Sequence, residues 1–500
     1  MDCLVQILSS IKGDVEIKDI EWKDGVFTSG SSPRVIFRFA SKIHYLNFNF
    51  TFEKGYPIQL YIGEEIIGQP YVTFYNLYKE YTSVYFEKEI DTVTFILGSN
   101  EVYKGIVGVE AYERLPNTLK LPYVSKNKGG EKILFISHIM DGSGAPRLLE
   151  HVLKAVKHKE IAVLTLGDGY LMDVLRKENI PVYMIHPQSN LETITYPIYF
   201  ETLLRTFYTL GYRKVITNTI ISGITLPYIK KFSFKVLSLV HEMQNAIETY
   251  HMKGGKEITE LSDFVVFPNE VVRDSFMRVY PDIRGEICIR PQGMYLEIPH
   301  FSRIDRKKIL EKYGIPSFSY VIMCSGSPSL VKGYDFFFTL ADLIIGMEKD
   351  REYHFVWAGP MQFPELGSWL HFQEKNSRLK GRIHHIPYIK NKMEYLSLLK
   401  TIDLFWLPSR EDSNPSVVLE AMGIGKCTVA FHRSGGAESL LADGRGVLIE
   451  PYQLYDFALE SIKICIDKER RNKIEKKAEK YISKNLDFKE YVKYLLHKLK

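Results

Sequence analysis

The sequence has few cysteines and no long apolar run. Its five cysteines are scattered and form no Cys-x-x-Cys pair, which argues against a disulfide framework and against a zinc site. No run reaches the roughly 18 apolar residues that a membrane-spanning helix needs. The first residues lack a basic segment followed by a long apolar core, so we expect no signal peptide. Together these absences predict a reducing, cytoplasmic location.

Charge of one sign is also scarce, because the formal net charge is only +5 over 500 residues. A balance this mild gives no reason to expect nucleic acid as a partner. The basic residues are denser in the tail, residues 468–500, which has a helical pattern. A solvated helical face explains that density, and contact with anionic lipid headgroups at a membrane surface is the alternative. Nothing in the sequence predicts an oligomeric state.

The chain is too long for one hydrophobic core, so several domains are expected. Residues 1–125 contain short alternating stretches separated by turn residues, a pattern that predicts a β-rich, sandwich-like domain. Apolar strands and helical patterns then alternate through residues 126–300 and again through 301–485. This alternation predicts an α/β architecture with two parallel, doubly wound sheets.

One stretch, residues 402–431, combines several chemical signals. A buried strand at 402–407 leads into a polar loop, a short helix and a second buried strand at 428–431. The pattern is that of a βαβ crossover. It places Asp412 in the loop and Glu420 one turn into the helix.

The start of this helix is suited to an anion, because its first amides have no partner within the helix. A diphosphate would lie over four residues: Asn414, Pro415, Ser416 and Val417. Glu420 could accept from a vicinal diol, as acidic residues do for ribose in dinucleotide folds. Asp412 or its neighbour Glu411 could reach a hexose hydroxyl. The alternative is that these acids only cap the helix and favour its dipole.

Three further positions follow apolar strands, where α/β sheets bind ligands. Ser143 and Gly144 belong to a glycine-containing turn after the strand that begins at residue 132. His241 ends the strand at 235–241, and Lys332 lies in a loop before a helix, where its charge suits a diphosphate. Each has a simpler interpretation: an ordinary turn, a packed histidine and a surface lysine.

The stretch from residue 407 to residue 441 resembles the family 4 retaining glycosyltransferases of GT-B fold. Their signature has two acids eight residues apart, then Ala-Met, a small-residue turn and an apolar strand, followed by Gly-Gly-x-x-Glu. Here these elements are Asp412 and Glu420, the residues at 421–431, and Gly435 to Glu438. Asp412 stands where a Glu is usual.

The resemblance implies two Rossmann-like domains facing a cleft, with residues 486–500 as a helix that crosses back to the first domain. It implies a retaining, metal-independent hexosyltransferase that takes a nucleotide-diphosphate sugar as donor and needs no other cofactor. The acceptor would be a polysaccharide or a lipid-linked glycan. It also assigns Ser143 and Gly144 to the donor phosphates, His241 to the reacting sugar, and Gly326 with Lys332 to the diphosphate.

One departure from the family pattern affects the proposed donor site. Ser327 stands where the family has an arginine that grips the phosphates together with the lysine. Either a cation from elsewhere assists Lys332, or the donor binds more weakly, or it binds differently. A non-catalytic glycan-binding or scaffold protein with a degenerate GT-B body is therefore the alternative function.

Overall fold

The structure of the protein is a computed structural model. It describes residues 13–23, 26–52, 58–66, 69–74, 82–96, 102–112, 119, 121, 130–185, 192, 194, 197–295, 298, 304–361, 364–389 and 391–500. The domain boundaries expected at residues 125 and 300 lie outside these ranges.

The N-terminal part is a β-sheet, as expected from its alternating pattern. Its strands are β1 (Gly13–Lys23), β2 (Val26–Phe52), β3 (Ile58–Ile62), β4 (Val72–Phe74), β5 (Thr82–Ile96) and β6 (Val102–Tyr112). They form one six-stranded sheet in the order β1-β2-β5-β3-β4, with β6 paired to β2. The two separate sheets of a sandwich are not seen among the described strands. Three consecutive residues of β2, 35–37, are nevertheless buried, so both faces of the sheet are covered there.

The N-terminal sheet packs on the domain that follows it. The ring of Tyr45, on β2, is fully buried and lies 6.2 Å from the ring of Tyr199. The backbone N–H of Leu119 donates to the Thr206 hydroxyl at 2.8 Å. Tyr199 and Thr206 both belong to a helix of the first Rossmann-like domain, so this sheet shares a hydrophobic core with it.

The first Rossmann-like domain has seven parallel strands. They are β7 (Lys132–Ser137), β8 (Glu160–Thr165), β9 (Val182–Met184), β10 (Lys214–Asn218), β11 (Lys235–Leu239), β12 (Phe264–Phe267) and β13 (Glu286–Ile289). Their order is β13-β12-β11-β10-β7-β8-β9. Every residue of β8 is buried, as expected for a parallel strand covered by helices on both faces.

The helices of this domain are α1 (Gly144–Val156), α2 (Leu171–Lys177), α3 (Pro197–Thr209), α4 (Leu226–Ile229), α5 (Gln244–Thr249), α6 (Gly255–Leu261) and α7 (Glu270–Val279), and a 3₁₀ turn spans Ile220–Thr225. Because the strand order reverses between β7 and β10, the loops after these two strands flank a crevice at the carboxyl edge of the sheet.

The second Rossmann-like domain repeats this arrangement. Its parallel strands are β14 (Tyr320–Ser325), β15 (Tyr353–Ala358), β16 (Ile383–Ile386), β17 (Leu404–Leu407), β18 (Thr428–Phe431) and β19 (Val447–Ile449). They lie in the order β16-β15-β14-β17-β18-β19. The direction of winding reverses between β14 and β17, which makes the loops after these strands the expected ligand site.

The remaining helices are α8 (Arg306–Lys312), α9 (Tyr334–Met347), α10 (Pro364–Lys375), α11 (Lys392–Thr401), α12 (Ser416–Gly423), α13 (Ala437–Leu441), α14 (Leu454–Ile466), α15 (Lys468–Asn485) and α16 (Phe488–Lys498). Among the residues that the structure describes, no helix is both long and apolar enough to cross a membrane.

The last helix, α16, packs on the first Rossmann-like domain although it follows the second. Its buried residues Tyr491, Val492 and Leu495 share a core cluster with strand β7 and helix α1. The two chain segments that cross between the domains also touch, because the Met294 N–H donates to the Leu486 carbonyl at 2.9 Å. Helix α16 therefore ties the two domains together.

We expect Leu495→Ala to destabilise the first domain by about 2–5 kcal/mol, because it removes a fully buried side chain and leaves a cavity. Urea denaturation of the variant and of Lys493→Ala, an exposed position on the same helix, provides the comparison. Equal unfolding midpoints for the two variants would contradict the packing of α16.

Candidate active site

The site lies where loops after the strands of the two Rossmann-like domains meet. The Asn269 side-chain amide donates to the Ser413 carbonyl at 2.9 Å. On the same boundary the Arg147 guanidinium donates to the Tyr388 hydroxyl at 3.1 Å. Asn269 and Arg147 belong to the first domain, and their partners belong to the second. These contacts define the interdomain cleft.

Helix α12 presents its N-terminus to this cleft. It begins at Ser416, and no side chain caps its first amides, because the residue at the N-cap position is Pro415. The Asn414 side chain, just before the helix, bonds to Gln292 of the segment that crosses between the domains. Amides without a capping side chain leave the partial positive charge of the helix end available to an anion.

Lys332 and Asp412 form an ion pair beside this helix end. The Lys332 ammonium donates to the Asp412 carboxylate at 2.6 Å, and the lysine side chain is about one-third exposed while the aspartate is mostly buried. Gly333 has a φ of 72°, and a Cβ there would lie 2.1 Å from the Pro408 carbonyl oxygen. A glycine is therefore required for the lysine loop to approach the loop that carries Asp412.

The loop that carries Asp412 packs against the two glycines of the Gly-Gly-x-x-Glu segment. The Asp412 N–H donates to the Ser434 carbonyl at 2.7 Å, and the Gly436 N–H donates to the Asp412 carbonyl at 2.9 Å. A Cβ at Gly435 would lie 2.1 Å from the Asp412 carbonyl oxygen. The close approach of these two loops fixes the direction of the Asp412 side chain.

Glu420, one turn into α12, is held by a tyrosine. The Tyr395 hydroxyl donates to the Glu420 carboxyl at 2.9 Å. Burial raises the pKa of Glu420 to about 7, and the Tyr395 bond and nearby Lys392 only partly offset that rise. A carboxyl group balanced between its two forms near neutral pH can accept or donate a hydrogen bond to a hydroxyl group.

Glu411 faces the first domain. Its carboxylate accepts a hydrogen bond from the backbone N–H of Ala246, in α5, while burial raises its pKa. Lys332 acts in the opposite direction on that pKa, so the ammonium lies near both acids of the loop. The cleft thus contains one ammonium group between Glu411 and Asp412.

His241 reaches the cleft, but both of its ring nitrogens have protein partners. Nε2 is 3.0 Å from the Asn218 side-chain oxygen, and Nδ1 is 2.9 Å from the Gln292 side-chain nitrogen. Burial, with a smaller contribution from His138, lowers the pKa of His241 to about 4. The imidazole is therefore neutral at physiological pH, and contact between a ring nitrogen and a sugar hydroxyl stays a prediction.

The loop at Ser143 and Gly144 and the loop at Gly326 and Ser327 both border open space. Ser143 closes a turn in which its N–H and hydroxyl both donate to Asp141, at 2.9 and 2.6 Å. A Cβ at Gly144 or at Gly326 would meet nothing within 4 Å, so there is open space beside both. Ser327 is half-buried, and its hydroxyl makes a 3.4 Å contact with the Pro360 carbonyl.

Arg410 does not replace the arginine that the family has at residue 327. This arginine, the nearest in the sequence to the acidic pair, makes two bonds to Asp335 at 2.8 and 2.7 Å. Its guanidinium also lies 3.7 Å from the centre of the Phe336 ring. Arg410 is thus engaged within the second domain, while Arg147, on the facing wall, is paired with Glu150 at 3.1 Å and bonded to Tyr388.

Several residues of the cleft carried no signal in the sequence. Tyr295 stacks on His151 with ring centres 4.3 Å apart, and its hydroxyl bonds to the Ser416 side chain while burial raises its pKa to about 12. Tyr395 lies on a helix whose pattern shows only burial. Single aromatic residues in loops and helices have no diagnostic spacing, so spacing in the sequence does not indicate either tyrosine.

The described residues contain no group of three or more His, Cys, Asp or Glu side chains that could hold a metal ion. The site is thus built from one lysine, a helix N-terminus, three acids and several tyrosines.

Comparison with known proteins identifies the part of the chain that carries this site. Residues 305–481 match the family of glycosyl transferases group 1. The match falls on the second Rossmann-like domain, which is similar to the group 1 glycosyltransferases. The chain is also 24% identical over 238 residues to D-inositol 3-phosphate glycosyltransferase of Paenarthrobacter aurescens. That match covers 47% of this chain and 57% of the relative, so the chain spans little more than half of the relative's length.

Solved structures confirm the GT-B fold around this domain. HepE of Anabaena in complex with UDP has a TM-score of 0.61 at 18% identity, over 74% of this chain and 99% of that one. Sucrose-phosphate synthase of Thermosynechococcus elongatus has a TM-score of 0.57 at 15% identity, over 74% and 98%. WaaG, a glycosyltransferase involved in lipopolysaccharide biosynthesis, has a TM-score of 0.55 at 14% identity, over 73% and 99%.

We expect Glu420→Gln to become more stable relative to the parent protein as the pH rises. The ordinary pKa of 4.5 rises to about 7 on folding, so the folded state binds more protons than the unfolded state between these values. Stability from this group is therefore present at low pH and is lost as pH rises through 7. Glutamine stays neutral at every pH. Between pH 5 and pH 8, the free energy of unfolding of the variant should therefore rise by about 2 kcal/mol relative to that of the parent protein. This value lies below the full 1.36 kcal/mol per pKa unit because the side chain is partly accessible.

Urea denaturation at both pH values measures this difference. Glu469→Gln, at a position that is 82% exposed, is the matched control and should change little with pH. If Glu420→Gln and the parent protein show parallel pH profiles, Glu420 does not have the raised pKa described above.

Proposed function

We propose that the protein is a hexosyltransferase that moves a sugar from a nucleotide-diphosphate sugar to a glycan acceptor. The observation that carries this proposal is the convergence of the Lys332 ammonium, the N-terminus of α12 and the Glu420 carboxyl on one interdomain cleft. Each of the three groups suits a different part of such a donor. The match of residues 305–481 to the group 1 glycosyltransferases supports the same conclusion.

The negative charge of the donor would be neutralised by the N-terminus of α12 and by Lys332. The diphosphate would bind the amides at 415–417 and the Lys332 ammonium, which together supply positive potential at the end of α12. Glu420 would accept from the ribose hydroxyls, and Asp412 with Glu411 would orient the sugar. HepE, a structural neighbour, has been crystallised with UDP and with UDP-glucose, which supports a uridine nucleotide as the first donor to test.

We propose that a guanidinium of the first domain compensates for Ser327. Lys332 alone is not enough, because a phosphate would compete with Asp412 for its ammonium, which lies 2.6 Å from that carboxylate. Arg147, which reaches across the cleft to Tyr388, is a second cation that could approach the donor from the first domain. We infer that the two positive charges come from opposite walls of the cleft, which makes donor binding depend on the approach of the two domains.

The reaction we propose breaks the bond between the anomeric carbon and the diphosphate oxygen. The electron pair leaves with the nucleoside diphosphate. The acceptor oxygen attacks the resulting oxocarbenium-like carbon and passes its proton to an oxygen of the leaving diphosphate. Stabilising the leaving diphosphate is the main catalytic effect expected of preorganised amides and an ammonium. We propose retention of configuration, as in the family 4 enzymes, and NMR of the anomeric proton in the product tests it.

Metal independence is part of the same proposal. A helix N-terminus and a lysine can take over the charge neutralisation that a divalent cation provides in other sugar transferases. The described residues offer no cluster of metal ligands beside Lys332. Donor turnover that disappears in EDTA and returns with Mg²⁺ or Mn²⁺ would contradict this part.

The acceptor would bind the first Rossmann-like domain, on the side of the loop at Ser143 and Gly144. A polysaccharide or lipid-linked glycan is the acceptor class that we propose, and the likeness to WaaG, whose work is lipopolysaccharide biosynthesis, supports it. Contact of the basic helix α15 with a membrane surface would accompany a lipid-linked acceptor. Sedimentation with anionic vesicles, with neutral vesicles as control, tests that contact.

The second candidate is a glycan-binding or scaffold protein with a degenerate GT-B body. The observation that favours it is Ser327, which is uncharged and supplies no positive charge to the donor phosphates. The intact pairing of Lys332 with Asp412 and of Glu420 with Tyr395 speaks against it, because a protein without catalysis has no need to keep these contacts.

Incubation with a panel of nucleotide sugars, with free nucleotide as the readout, separates the two candidates. We expect one donor to release nucleotide. We expect Lys332→Ala to lower that release at least a hundredfold, the usual loss when a group that stabilises developing charge is removed. We expect Glu420→Ala to lower the release at limiting donor, because the ribose hydroxyls lose their acceptor. Lys349→Ala, at an exposed position after α9, is the matched control. If both site variants keep full activity, the site is wrong; if no donor is turned over but glycans bind, the second candidate holds.

A further inference from the structure

A chain of hydrogen bonds runs across the interdomain cleft and includes residues that the proposed chemistry does not use. Asn414, beside the start of α12, bonds to Gln292 at 2.8 Å. Gln292 bonds to His241 at 2.9 Å, and His241 bonds to Asn218 at 3.0 Å. Asn218 then bonds to the Ala145 carbonyl at 3.0 Å. The chain therefore joins the donor side of the cleft to the loop at the start of α1.

The direction of every bond in this chain follows from its last member. A backbone carbonyl can only accept, so Asn218 must donate through its amide nitrogen and turn its side-chain oxygen to His241. His241 must then carry its proton on Nε2 and leave Nδ1 bare. Gln292 has to donate to Nδ1 and therefore turns its oxygen to the amide of Asn414. All four donors point the same way, which strengthens each bond.

The surroundings leave this arrangement little freedom. Gln292 is only 8% exposed, and its neighbour Gly293 contacts the backbone at Asp487 and Phe488 closely enough that a Cβ would clash. The charged and titratable groups near His241 are His138, at the end of β7, and Glu242, whose carboxyl accepts from the His241 and Ile220 N–H groups. Asn218, Gln292 and Asn414 are uncharged.

We propose that Gln292 is a positioning residue that holds His241 in its Nε2–H form and thereby couples the acceptor-side loop to the donor-side helix. A second proton on His241 would place an N–H against the Gln292 amide group. Gln292 would have to turn over, and its oxygen would leave Asn414. The protonation state of one side chain in the first domain thus controls a contact made by the second domain.

This proposal rests on the proposed function for its purpose, since a coupled donor site and acceptor loop serve a transfer reaction. Its test needs no substrate, so failure of one does not imply failure of the other. The ring ¹⁵N chemical shifts of histidine distinguish a protonated nitrogen from a bare one. The protein has 14 histidines, and the signals of His241 are identified by their loss in His241→Gln.

In the protein labelled with [¹⁵N]histidine, we expect His241 to show a bare Nδ1 and a protonated Nε2 and to stay neutral at pH 6. Gln292→Glu keeps the shape of the side chain but presents a carboxylate to Nδ1. We expect the variant to raise the pKa of His241 by roughly 1–3 units, the usual effect of a close opposite charge. Gln373→Glu, an exposed position on α10 with the same change of charge, should leave the His241 signals unchanged.

A second variant tests the relay from the other domain. Asn414→Asp offers Gln292 only acceptors, so Gln292 should turn its amide nitrogen to residue 414 and its oxygen to His241. Because Asn218 keeps the first proton on Nε2, the histidine should then gain a second proton on Nδ1 at a higher pH than in the wild type, although residue 414 does not contact it. Ser413→Asp adds the same charge next to that position and should leave Nδ1 bare.

Three results would overturn the proposal: a wild-type His241 with a protonated Nδ1, a wild-type His241 that becomes charged above pH 6, or an unchanged Nδ1 in Gln292→Glu. If Gln292→Glu does not fold, the wild-type tautomer and Asn414→Asp decide. An Asn414→Asp protein with a bare Nδ1 would show that the bonds exist without acting as a relay.

Discussion

The ion pair between Lys332 and Asp412 is the contact on which the chemistry of the cleft depends. It joins the loop after β14 to the loop after β17, which are neighbouring strands at the place where the sheet reverses its direction of winding. Without the lysine, the Asp412 carboxylate would be unpaired beside the start of α12 and would repel a phosphate. With it, that carboxylate is neutralised, and the helix amides retain their attraction for an anion.

The same topological feature occurs twice, and the two copies face each other. In the first domain, β7 and β10 are neighbours at the reversal point; the loop after β7 carries Ser143, and β10 ends at Asn218. Contacts between the domains come from residues that lie beyond strand ends, such as the hydrogen bond between Asn269 and Ser413. The segment at 290–295 and helix α16 also connect the two domains. A cleft assembled this way can bring donor and acceptor together only if both domains keep their relative position. The buried chain of hydrogen bonds through Gln292 links the two domains and so helps to keep that position.

Much of this could be predicted from the sequence, for identifiable reasons. Long apolar runs predicted every strand of the second domain, because parallel strands are buried on both faces. The four-residue β13 escaped notice, since Glu286 and Ile287 are exposed and the apolar signal is short. Lys332, Asp412 and Glu420 were predicted from motif spacing, whereas the partners of His241 are polar residues far away in the chain, and only the fold brings Asn218 and Gln292 to its two nitrogens.

The central claim is that the α12 N-terminus and Lys332 bind the donor's diphosphate, and calorimetry measures it most directly. The affinity of UDP is compared with that of uridine, in the parent protein and in Lys332→Met, which keeps the length of the side chain without its charge. The account predicts that UDP binds more tightly than uridine and that the variant loses at least tenfold of this preference, about 1.4 kcal/mol, while uridine binds as before. An unchanged ratio of the two affinities in Lys332→Met would contradict it.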